Sequence, residues 1–113
     1  MRDGQLEAWL ITLAVEGVAA AALARFFGVV PSRAARAAIA GSLCSHPIVW
    51  YLFFRLIRQE GYWTTFAIVE SFAVLSEAPF YRLAGARWPT AVLLSLLVNV
   101  ASVLAGFARY AAW

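Results

Sequence analysis

The chain has 113 residues, 64% of them hydrophobic and only 13% charged, against about 25% charged in an ordinary soluble domain. Such a composition excludes a water-soluble globule, and the length reads as a single domain, residues 1–113. The net charge of +3 does not signal nucleic acid: all nine basic residues are Arg, most lie at the ends of apolar segments, and there is no basic run of the kind that tracks phosphates.

Four apolar runs take up most of the chain, at about Leu6–Phe27, Ala37–Ile57, Thr64–Ala84 and Pro89–Ala112. Each is long enough to cross a hydrocarbon core of roughly 30 Å as a helix. Strands would be half this length and would alternate in polarity, so the expected fold is all-α, an up-down bundle of four transmembrane helices. The start of the chain lacks a basic n-region, and Glu16 stands in the middle of the first run, so no cleavable signal peptide is expected.

The first helix is expected to end at Arg25, before the turn Gly28-Val29-Val30-Pro31-Ser32, with Ser32 as N-cap of the approach to the second. The second runs into Arg55, Arg58 and Gly61, and the third begins near Thr64 and ends around Tyr81, Arg82 and Gly85. Trp88 and Pro89 open the fourth, which closes on Arg109, Tyr110 and Trp113. Trp9, Trp63, Trp88 and Trp113 fall at segment ends, as an aromatic belt requires. Arg25, Arg33, Arg36, Arg82 and Arg87 lie on one side, against Arg2, Arg55, Arg58 and Arg109 on the other. This bias places the 1–2 and 3–4 loops in the cytoplasm and both termini outside. Offset by 57 positions, Arg25 falls on Arg82, Gly28 on Gly85, Ala34 on Ala91 and Ser45 on Ser102, a faint repeat of two helical hairpins.

Each run carries polar groups near mid-depth: Glu16; Ser42, Ser45 and His46; Glu70 and Glu77; Asn99 and Ser102. Three ionised carboxylates facing lipid would cost on the order of 8–10 kcal/mol, so these side chains are expected to face the interior. At a rise of about 1.5 Å per residue, Glu16, His46 and Asn99 share nearly one level, with Glu77 and Glu70 on either side. Glu70 and Glu77 share a helix face, and Ser95, Asn99 and Ser102 form a stripe. Ala37, Gly41 and Ser45 give the small-xxx-small spacing of a close helix contact. Pro47 and Pro79 free the carbonyls of Leu43 and Leu75, which need partners inside the membrane.

Three readings follow. His46 with Glu77, Glu16 or Glu70 supplies imidazole and carboxylate ligands for a divalent metal, though no HExxH or Glu-x-x-His spacing accompanies them. The same groups could carry protons or a small cation. Or Glu–His and Asn–Ser hydrogen bonds hold together a non-catalytic subunit that packs as a homo-oligomer or against a membrane partner. The serines have no Lys or Asp arrangement that would make a nucleophile, so enzyme activity is not expected. The sharpest expectation is a direct His46–Glu77 contact, with Glu16 as the second choice of carboxylate.

The Ser45-His46-Pro47 of the second helix, Glu70, Glu77 and Tyr81 of the third, and Asn99 with Ser102 of the fourth resemble small bacterial four-helix integral membrane proteins of uncharacterised function, which carry a Ser/Thr-His-Pro motif. Where that group has an Asn three residues before the motif's Thr, this chain has Ser42. The resemblance implies a bundle in the bacterial inner membrane with a polar centre.

Overall fold

A computed structural model describes residues 3–111, and over that range the chain is helical. Its helices are α1 (Asp3–Ala24), α2 (Pro31–Glu60), α3 (Tyr62–Leu83) and α4 (Trp88–Ala111), with a 3₁₀ turn at Arg25–Phe27. Arg2, Ala112 and Trp113 lie outside the described residues, as does the side chain of Tyr110.

The helix ends differ from expectation mainly at α2. Ser32 does not cap it: the cap is Val30, in extended conformation, and Pro31 is the first helical residue. Proline suits that position because its missing N–H would have no partner there. The alanines at 34, 35, 37 and 38 then carry the helix forward. The helix continues through Pro47, as α3 does through Pro79. Gly28 (φ 70°), Gly61 (φ 75°) and Gly85 (φ 111°) make the three reversals, in a region that side chains avoid.

α1, α2 and α4 are each long and apolar enough to cross a membrane. α3 falls outside that set, its Glu70, Glu77, paired Thr and Ser residues lowering its hydropathy. Even so it packs against α2 and α4, while α1 packs against α2 and α4, so the helices neighbour one another in a closed ring. The buried residues of α3 recur every four positions, at Thr65, Val69, Ala73, Glu77 and Tyr81. Ile68 and Leu75 stand on its exposed side.

The two ends of the ring are packed differently. Toward the Gly28 and Gly85 turns, small and medium side chains close it tightly: Ala20, Ala24, Ala34, Ala38, Ala91, Leu94 and Val98 surround a fully buried Tyr81. Toward the Gly61 turn the interior is lined by larger rings and holds a cavity. The outer surface carries Val18, Leu75 and Leu83 at 67–86% exposure, while Glu16, Ser42, Ser45, Glu77 and Asn99 are buried, a polarity inverted relative to a soluble protein.

Candidate functional site

Three helices meet at Ser42. Its hydroxyl donates to Oε2 of Glu16 on α1 and lies 3.5 Å from Oε1 of Glu77 on α3. Ser45, one turn further along α2, donates to Glu77 Oε2 at 3.1 Å. α4 closes the set: Asn99 and Ser102 line the same cavity as the two carboxyls. Asn99 also donates to the carbonyl of Ser95 at 2.8 Å, which fixes its amide. Glu16 and Glu77 are only 3% and 2% exposed.

The close approach depends on Gly41. A Cβ built there would lie 3.2 Å from Glu77 Cγ and 3.4 Å from the Phe80 ring. The small-xxx-small stripe of Ala37, Gly41 and Ser45 is therefore the surface on which α3 rests, and all three residues are buried. Gly41→Val should push α3 off α2 and cost about 1–3 kcal/mol. Gly41→Ala, which needs a shift of only a few tenths of an ångström, should be nearly neutral, helped by about 1 kcal/mol of helix propensity. Thermal unfolding in detergent would rank the two.

The polar residues singled out from the sequence converge. Glu16, Ser45, His46, Glu70, Glu77, Asn99 and Ser102 all line one cavity of about 250 Å³, and Ser42 bridges the two carboxyls at its edge. The expected His46–Glu77 contact is not formed. His46 stacks on Trp9 of α1 (centroids 6.3 Å apart, planes at 17°) and meets Trp50 edge-on at 6.4 Å. One residue of helix turns the side chain by about 100°, so once Ser45 faces Glu77 the imidazole must face elsewhere. Glu70 lines the cavity half-buried. Among the described residues, no group of three His, Cys, Asp or Glu side chains is placed to hold a metal ion.

Both proline-freed carbonyls, those of Leu43 and Leu75, were expected to find partners, and among the described residues no side chain bonds either. The bond seen is one residue away, from Ser95 of α4 to the carbonyl of Val74 at 2.7 Å. Trp9, assigned to the aromatic belt, is instead half-buried against His46, whereas Trp63 and Trp88 are exposed as a belt requires. Sequence reasoning did not pick out the aromatic part of the cavity wall, Trp50, Phe53 and Phe66. A signal was present: Trp50 stands inside an apolar run, one turn after His46, rather than at its end.

The faint repeat is visible in the placement of its residues. Ser45 and Ser102 are equivalent under the offset, and both line the cavity, where Ser45 bonds Glu77. Gly28 and Gly85 are both positive-φ turns, and Ala34 and Ala91 are both fully buried.

Chemically, Ser42 has one proton to donate. When it points to Glu16, the contact with Glu77 becomes a hydrogen bond only if Glu77 supplies a proton, and the reverse holds when it points to Glu77. The bridge therefore has a slot for one extra proton. No Lys or Arg lines the cavity.

Comparison of the chain with known protein families, with curated proteins and with solved structures gave no significant match.

Proposed function

We propose that the chain is a small transporter-like protein of the bacterial inner membrane, with four helices crossing in up-down order and both termini outside. Its Glu16–Ser42–Glu77 bridge binds and passes a proton or a small cation. Three short connections and a long axis of 41 Å support the arrangement, since a bilayer with its head groups is about 40–45 Å thick. α3 is 22 residues, enough for about 33 Å, and it exposes Ile68 and Leu75 opposite its carboxyls.

The observation that carries the functional reading is the bridge itself: two carboxyls more than nine-tenths buried, joined through one hydroxyl, with no Lys or Arg lining their cavity. Intramembrane carboxyls of this kind are costly to keep and mark proton or ion paths. The cavity lies toward the Gly61 turn and is closed toward the opposite turns by the alanine and Tyr81 packing.

Purified protein in dye-loaded vesicles should move protons when a potassium or sodium gradient is imposed. Glu77→Gln should abolish that movement while preserving the fold, because the amide keeps the shape and supplies a permanent N–H to Ser42. Vesicles whose internal pH responds to neither gradient would overturn the proposal.

A further inference from the structure

The cavity holds more than the bridge. Three of its lining residues are the carboxyls Glu16, Glu70 and Glu77, and three are the aromatic side chains Trp50, Phe53 and Phe66. We infer that this cavity binds a small quaternary ammonium ion, held by the carboxyls and caged by the aromatic rings; the inference rests on the cation-site reading above.

Two features of the wall select charge. No Lys or Arg lines the cavity. Glu16 and Glu77 are more than nine-tenths buried there, and no cationic side chain bonds either of them among the described residues. A positive guest would supply the partner these groups lack. An anion would meet three carboxyls and no Lys or Arg.

The aromatic wall then selects the kind of cation. A bare metal ion or ammonium needs close oxygen ligands or hydrogen-bond acceptors all round. A methylated ammonium has no N–H to satisfy and gains from ring faces, which is why aromatic cages recognise it. Trp50 and Phe66 come from facing helices and make no ring contact with each other. Trp50 meets His46 and Phe54, and Phe66 meets Tyr62, Trp63 and Phe107, so neither ring closes on the other. Glu70 sits beside Phe66 in the wall and makes no hydrogen bond among the described residues, which leaves its carboxyl for the guest.

Size sets the limit. Drug-sized ligands occupy pockets of about 300–1,000 Å³. At about 250 Å³ this cavity is below that range, so it suits an ammonium with a few carbons rather than a polycyclic dye. A second, apolar groove between α3 and α4, about 500 Å³, shares Phe66, Glu70, Asn99 and Val103 with the cavity and gives the alkyl part of such an ion a route from the membrane.

The test is calorimetric titration of the full chain in detergent with tetramethylammonium, with choline, and with 3,3-dimethylbutan-1-ol, the uncharged shape-mimic of choline. Both cations should bind saturably, and the neutral alcohol at least about tenfold more weakly. Trp50→Leu and Glu70→Gln should each weaken choline about tenfold, and Trp88→Leu, at an exposed ring outside the cavity, should leave it unchanged. If Trp50→Leu does not fold, Trp50→Phe should fold and retain most of the affinity. Equal binding of choline and its neutral mimic overturns the inference. So does absence of choline binding in protein that still moves protons, a result that leaves the proton site standing. Loss of both would remove the cation-site reading as well.

Discussion

Ser42→Ala should lower the stability of the folded chain by about 2 kcal/mol, the largest effect expected of any single-oxygen deletion in it. The hydroxyl is fully buried and serves Glu16 and Glu77 at once. Leaving two buried groups each short of a partner would cost about 1–3 kcal/mol apiece in a soluble core. Side-chain hydrogen bonds in membranes measure less, averaging about 0.6 kcal/mol, because orphaned groups there find substitutes. Here substitutes are at hand: Ser45 stays on Glu77, and Asn99 and Ser102 line the cavity beside the carboxyls. The lower end of the range therefore wins. In a double-mutant cycle with Glu77→Gln, followed by thermal unfolding in detergent, the two changes should couple by at least about 0.5 kcal/mol. Strict additivity would show that Ser42 and Glu77 do not act together.

Tyr81→Ala should be more damaging, at about 3 kcal/mol, and for a different reason. Tyr81 is the largest fully buried side chain and fills the closed end of the ring among alanines too small to collapse into the space it would leave. Aromatic-to-Ala changes cost about 3–5 kcal/mol in soluble cores. Within a membrane the loss is of packing contacts rather than of transfer from water, which favours the lower figure. Tyr81→Phe separates ring from hydroxyl. The hydroxyl is buried and makes no hydrogen bond among the described residues, so removing it should be neutral or slightly stabilising. A Tyr81→Phe protein as unstable as Tyr81→Ala would mean that the hydroxyl, not the ring, holds that end.

The helical elements could be read from the sequence because apolar runs of about twenty residues have few other solutions. The gathering of Glu16, Glu77, Ser45, Asn99 and Ser102 was legible as well: each is a polar group at mid-depth in an otherwise apolar run, and the cost of facing lipid drives all of them inward. What could not be read is how each helix is rotated about its own axis. A helix that is apolar nearly all round has no strong face to orient it. That is why His46 was assigned to Glu77 when its neighbour Ser45 makes the bond and the ring turns to Trp9. The bridging position of Ser42 was hidden for the same reason, since depth and face alone do not say which of two adjacent carboxyls a hydroxyl will serve. Gly41 was legible as a place of close approach, but not as the seat of Glu77, because that depends on where α3 comes to rest.

The distribution of the serines has a consequence for how the chain is made. Glu16 finds a donor in Ser42, within its own hairpin of α1 and α2. Glu77 draws Ser42 and Ser45 from that same first hairpin and, among the described residues, no side-chain hydrogen bond from its own. A ribosome delivers the first hairpin first. It can enter the bilayer with its carboxyl already served, and can then wait as a preformed acceptor for the second. The reverse order would leave Glu77 without either serine. The order of synthesis and the order of satisfied hydrogen bonds thus run in the same direction.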